Sequence, residues 1–428
     1  MLVSAFILIP LVFSESFYDP FIPIKNQILA VLVGIAIILL IITKKGKDFR
    51  SLGSWELSLL FFCHVTSLLV HSFIPSTVNS FGPLYQVSVI VCIGLIVSES
   101  LGKNFEFLRL LGLVTIPPFI IVAIIGIIQT MGMSILSIPQ GKGPTSTLSN
   151  VNMVSQYLGF AIPLILFSEK KVKIKSTPLL RYLVYTSVSF GFALIFLNLT
   201  RSVILGLCAY FLVFAVYGKT RRLMLCYSLL LSGFIIVLVN IANQSIITSP
   251  ENPINKIAIE NPKKYESVAK VSNKISDSNG RVDIWKNTLK LIIDHPFGVG
   301  PGGFEIKFAD YNLTSAGQIT KETVLFTTPH NEILRLIAEN GVLLGFLIIM
   351  IIIKMFWDTW KRIVTLDSSI KLLFLGLISV MVFEILFQFP LVLPIGKMFF
   401  GILLGVCFYF SNVKIKKNSL FKSLPRYW

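Results

Sequence analysis

GRVDIWKNTLKLIIDHPFGVGPGGF at 280–304 and PHNEILRLIAENGVLLGF at 329–346 stand in the longest polar stretch, 241–332, of a chain whose mean hydropathy is +0.80. In so apolar a sequence, a long segment kept out of lipid is where polar chemistry is expected, with the remainder holding it in place. In the first block Val282, Trp285, Leu289 and Ile292 recur at steps of three and four while Lys286 and Lys290 take another face, which predicts an amphipathic helix. Pro296 ends it, and the glycine-rich turn GVGPGG follows at 298–303. The second block predicts a helix starting near His330, with Glu332, Arg335 and Glu339 as a structural ion-pair stripe, running on into the membrane as a span. The stretch 241–279 (SPENPINK, ENPKKYES) reads as short helices or coil.

Outward from these blocks, composition sets the class. With 54% hydrophobic and 14% charged residues over 428 positions, the chain cannot fold as a soluble core under a polar coat. An all-α polytopic membrane protein is predicted, because a backbone in lipid must satisfy its own hydrogen bonds and spans need roughly 20 apolar residues. About 12 transmembrane helices are expected, at 2–13, 28–43, 54–73, 84–98, 110–131, 153–168, 182–199, 202–217, 223–241, 333–353, 372–389 and 398–412, with one large helical extracytoplasmic loop between spans 9 and 10. The first run lacks the basic start and small-residue cleavage site of a signal peptide, so it reads as an uncleaved span. The domains are then 1–240 (spans 1–9), 241–332 (the loop) and 333–428 (spans 10–12 and a basic tail).

Charge gives the orientation. With both termini cytoplasmic, the loops on that side hold 23 of the 38 basic residues, while the short opposite loops hold only Lys25, Lys142, Arg201 and Lys397. Cytoplasmic loops retain positive charge during insertion, so the long loop is expected on the outer face. The net charge of +17 is then a topological signal and implies no nucleic-acid partner. Cys63, Cys92, Cys208, Cys226 and Cys407 all fall in expected spans, which leaves no disulfide framework or zinc spacing. There is no Asp-x-Asp pair, and Glu15 and Asp19 are too few to specify a divalent ion, so neither a metal nor another cofactor is expected. The glycine turn lacks the following Lys and Ser or Thr of a nucleotide loop.

The two blocks together resemble the signature region of the O-antigen ligase and polymerase superfamily: Gly-Arg, Trp, Pro, a Gly-x-Gly-x-x-x-Phe run, then a His-Asn pair. YDPFIPIK at 18–25, TSTLSNVNMVSQYLGFAIPL at 145–164 and LNLTRSVILGL at 197–207 agree with it in order and topology. One departure concerns the glycines after His-Asn. Gly341 and Gly345 stand four apart, which leaves His330 intact but not the finer assignment to ligase; close helix packing is the favoured role for both.

The resemblance implies a transferase of the GT-C type that moves a glycan from undecaprenyl diphosphate to an acceptor hydroxyl at the outer face of the bacterial inner membrane. The acceptor is a lipid A core sugar for a ligase and a carrier-linked repeat unit for a polymerase. Such a transfer needs charge to stabilise the departing diphosphate and a group to take the hydroxyl proton. Arg201 and Arg281 suit the first task, because a guanidinium binds phosphate oxygens bidentately and stays charged; the plain alternatives are an interfacial anchor and a surface charge. His330 suits the second, as base or as diphosphate ligand. Lys25, Asn150, Asn152 and Asn331 are the substrate-binding candidates. Glu384 is an acid well within a span and a functional candidate by default, whereas His295 reads as structural and His64 and His71 as packed in span 3. A metal-independent, inverting transfer is expected. A transporter of lipid-linked glycan is the remaining class, but no internal repeat is found.

Overall fold

The computed structural model describes residues 1–14, 19–43, 66, 81–101, 105–133, 138, 144–169, 178–217, 222–247, 278–316 and 328–412. Every regular element among them is a helix: α1 (Leu2–Leu8), α2 (Ile22–Thr43), α3 (Phe81–Ser100), α4 (Glu106–Thr130), α5 (Val151–Ser168), α6 (Pro178–Asn198), α7 (Arg201–Tyr217), α8 (Arg222–Ile247), α9 (Ser278–Asp294), α10 (Phe304–Ala316), α11 (Glu332–Asn340), α12 (Val342–Ile363), α13 (Ser368–Phe387) and α14 (Pro394–Asn412). Eight of these are long and apolar enough to cross a membrane, and α3 and α7 are shorter apolar helices. The chain is therefore a polytopic helical membrane protein.

Two expected spans change. The first is a helix of only 7 residues, about 10 Å long at 1.5 Å per residue and too short to cross; Pro10, which follows it, has no N–H to extend the ladder. The tenth is broken. α11 stops at Asn340, Gly341 takes φ +81° and ψ 166°, and α12 starts at Val342. The third, 54–73, with His64 and His71, lies outside the described residues.

Small residues set the helix approaches. At Gly206 an added Cβ would lie 2.8 Å from the Val380 Cα, so α7 and α13 meet backbone to backbone. The same antiparallel register, one turn along, brings Ser202 beside Glu384. At Gly401 and Gly405 the Ile93 and Val97 side chains occupy the space a Cβ would need, and α14 packs along α3. Lys397 in the first turn of α14 donates to Asn26 Oδ1 of α2 at 2.9 Å.

α9, α10 and α11 form a separate unit with its own core of Ile284, Leu291, Ile292, Val299, Phe304, Phe308, Ile337 and Ala338. Here the expected apolar face of α9 is redrawn. Ile292 is buried and Trp285 half-buried, but Val282 and Leu289 are exposed, and Ile284, Thr288 and Leu291 fill the core instead.

The glycine turn is a clamp. Val299 N donates to Ala338 O, Gly300 N to Glu339 O and Val342 N to Pro296 O, all within 3.0 Å, so the turn grips the last turn of α11 and the break after it. Gly298 has no room for a Cβ against Asn340 and Gly341. The stripe on α11 pairs as read: Arg335 bridges Glu332 and Glu339. Burial opposes the Arg335 charge, but the two carboxylates outweigh it and hold Arg335 protonated above the ordinary arginine range. Glu339 also accepts from the Gly302 N–H, which ties the stripe to the clamp.

Candidate active site

Four segments converge where this unit meets the bundle. α5 begins at the Asn150 cap, whose side chain accepts from Met153 N at 2.9 Å, and its first turns present Asn152 and Gln156. α13 brings Glu384, then ends, leaving Gln388 and Phe389 in the turn beyond. His330 stands just before α11 in the left-handed region at φ +51°. Asn150, Asn152, Gln156, His330, Glu384 and Gln388, with Met153, Phe389 and Leu393, line one small cavity of about 50 Å3. Six of these nine side chains are polar, in a bundle whose core is mostly apolar.

α9 closes the site from the side. Arg281 Nη1 lies 3.4 Å from Phe387 O, one of the carbonyls that a helix C-terminus leaves without an intrahelical partner. One turn on, Trp285 Nε1 donates to Pro329 O at 2.9 Å, and its ring lies 6.2 Å from that of Phe387. Trp285 thus fixes the residue before His330 and the carbonyl that Arg281 meets. On the far side, Thr200 and Asn198 hydrogen-bond Ser155 Oγ at 2.9 and 3.1 Å, which anchors the turn carrying Arg201 onto α5.

The charges act on one another. Burial lowers the Arg281 pKa, the Glu384 carboxylate raises it and Arg201 lowers it, so the three groups lie within electrostatic reach. Burial and then the Arg281 charge hold the His330 imidazole below its ordinary range, against a hydrogen bond with Gln388. The ring is therefore neutral at pH 7, and its buried Nδ1 has no hydrogen-bond partner. Phe389 packs edge-on to it at 5.2 Å. Gln156 Nε2 donates to Glu384 Oε2 at 2.6 Å, leaving Gln156 Oε1 buried without a partner.

Of the residues singled out in the sequence, His330, Asn150, Asn152 and Glu384 line the cavity; Arg281 lies beside it, near enough for its charge to act on His330 and Glu384, and the exposed Arg201 acts on Arg281. Lys25 lines a neighbouring cavity that shares Met153, Gln156 and Leu393, and its Nζ donates to Ile9 O at 2.7 Å. Asn331 is occupied: its side chain caps α11 by accepting from Leu334 N at 3.0 Å. His295 lies in the turn after α9, away from the cavity lining. Gln156, Gln388 and Phe389 were not singled out by sequence reasoning, though two glutamines in expected spans were a signal of buried polar contact.

A helical membrane bundle thus meets a small helical unit, with histidine and carboxylate lining one cavity and arginine beside it. A sequence-family model described as O-antigen ligase matches residues 186–350, a stretch that takes in Arg201, Arg281 and His330. The match supports the O-antigen ligase superfamily, the resemblance carried by the motifs. Among curated proteins no match to the chain was found.

Proposed function

We infer that the protein is a membrane glycosyltransferase that moves a glycan from undecaprenyl diphosphate to an acceptor hydroxyl, without a metal ion. The observation that carries this reading is a polar cavity lined by His330 and Glu384, with the Arg281 charge acting on both and Arg201 acting on Arg281. In the step itself the acceptor oxygen attacks the anomeric carbon, the bond from that carbon to the diphosphate oxygen breaks, and the hydroxyl proton passes to the neutral His330. The bonding pair leaves with the diphosphate, whose charge Arg281 and Arg201 offset. Displacement from the opposite side inverts the anomeric centre. Asn150 and Asn152 are suited to sugar hydroxyls, and Lys25, in the adjoining cavity, to a second anionic group of the donor.

The cavity is assigned to the outer face of the inner membrane, opposite the basic loops, with the basic C-terminal tail cytoplasmic. Because α1 is too short to cross, the expected cytoplasmic N-terminus is given up and the residues before α2 are placed on the outer side. The acceptor is a lipid A core sugar if the chain acts as a ligase, or a second carrier-linked repeat if it acts as a polymerase. Purified protein in liposomes, given carrier-linked glycan with core-bearing lipid A or with carrier-linked repeat alone, separates the two by which species is extended. Passage of labelled lipid across the bilayer without glycan transfer would replace this reading with a transporter.

A further inference from the structure

α9 has three faces. Seen down the helix at about 100° per residue, Ile284, Thr288, Leu291 and Ile292 point into the small core, with Arg281 at the edge of that face nearest the cavity. Asp283, Lys286, Lys290 and Asp294 cover the opposite side and are exposed. Between them runs a third strip, Val282, Leu289 and Ile293, continued past the helix end by Phe297, and these four are 43%, 49%, 75% and 82% exposed. A contiguous apolar strip of this kind on a helix outside the spanning segments is unfavourable in water and marks a surface that meets something apolar.

Two observations say what that is. The strip is continuous with a lipid-facing surface: the Phe297 backbone lies against Gly341, where a Cβ would come 2.9 Å from the Phe297 Cα, and the residues that follow open α12. On that spanning helix Leu343, Phe346 and Met350 are exposed large apolar side chains. The charges are also placed for a membrane surface. Lys286 and Lys290 flank the strip on its polar side, where their stems can lie along apolar chains and their ammonium groups reach anionic headgroups; Lys286 also lies 3.8 Å from the exposed Asp283.

We propose that α9 lies in the membrane surface, with Val282, Leu289, Ile293 and Phe297 sunk at the boundary between headgroups and acyl chains of the leaflet nearest the cavity. Arg281, about a quarter turn round the helix from the strip, then borders both lipid and cavity, so a lipid-borne anionic group meets it without leaving the bilayer. The seating of α9 does not depend on glycan transfer and is tested apart from it.

The full chain is reconstituted in nanodiscs of phosphatidylethanolamine and phosphatidylglycerol with photoreactive p-benzoylphenylalanine at Ile293, Phe297, Asp294 or Leu343, one site at a time. After irradiation, intact mass reads whether a lipid has been added. Lipid adducts at Ile293 and Phe297 comparable to those at Leu343, with loss of adduct at Asp294, are expected. The preference of the Ile293 adduct for phosphatidylglycerol should fall when Lys286→Glu and Lys290→Glu are combined. Adducts at Leu343 without any at Ile293 and Phe297 would overturn the proposal, whether those probes stay unreacted in water or cross-link to another part of the protein.

Discussion

Gln156 on α5 and Glu384 on α13, 228 positions apart in sequence, share a 2.6 Å hydrogen bond in the wall of the cavity. The bond is buried at both ends, and Gln156 leaves its Oε1 unmatched. Gln156→Leu removes the donor and should cost about 1–3 kcal/mol, the usual penalty for a buried polar group left unsatisfied, seen as a lower Tm in detergent. Glu384→Gln keeps the shape, so its Tm should stay near that of the parent while transfer falls. Parental transfer by Glu384→Gln would show that the carboxylate has no part in the chemistry.

Arg281 and His330 are predicted to be needed for transfer and not for folding. Arg281→Ala and His330→Ala should abolish extension of the acceptor at unchanged expression. Arg281→Lys retains the charge but not the planar fork, and a loss on the order of 100-fold in kcat is expected. Parental rates in either alanine variant would remove the assignment.

The pH profile follows from the His330 imidazole, which burial and Arg281 hold below its ordinary range. A base works in its neutral form, and a lowered pKa preserves that form to lower pH. The rate should stay level as pH falls through 6.5, the ordinary histidine value, and drop only below it. A rate that rises on acidification would instead make His330 a cationic ligand of the diphosphate.

Gly341 sits at φ +81° and ψ 166°, a region open to glycine almost alone. Gly341→Ala should cost about 1–3 kcal/mol through strain, with a further clash against the Phe297 backbone. Gly34→Ala and Gly233→Ala, helical positions with nothing within 4 Å of an added Cβ, should leave Tm unchanged or raise it. Thermal unfolding in one detergent compares all three.

Arg335→Leu would strand Glu332 and Glu339 as buried carboxylates without their cation. Breaking a buried ion pair from one side costs about 3–5 kcal/mol, so this variant should fold poorly or melt far earlier.

Much of this was legible in the chain because hydropathy reports directly on lipid burial. The apolar runs, the amphipathic start of α9 and the Glu332–Arg335–Glu339 stripe all follow from periodicity. The helix break at Gly341 did not, since a glycine in an apolar run reads equally as close packing or as a positive φ, and the clamp that requires it comes from residues 296–300. Nor did the true core face of α9. Its apolar residues cover more than one face, and periodicity cannot tell the side turned to a core from the side left open. In the site, charged residues announced themselves, whereas Gln156 and Gln388 take their importance from partners far away in sequence, Glu384 and His330.

The dislocation between α11 and α12 has one more consequence. His330 stands before a short helix that is gripped from the α9 side and packed directly on its neighbouring span, where Gly345 lies against Ile337. Val342 N is tied to Pro296 O and the Gly345 backbone lies against Ile337, so α11, the glycine turn and the start of α12 are held as one piece. A span that leans to match a bilayer of different thickness would therefore carry the short helix after His330 with it.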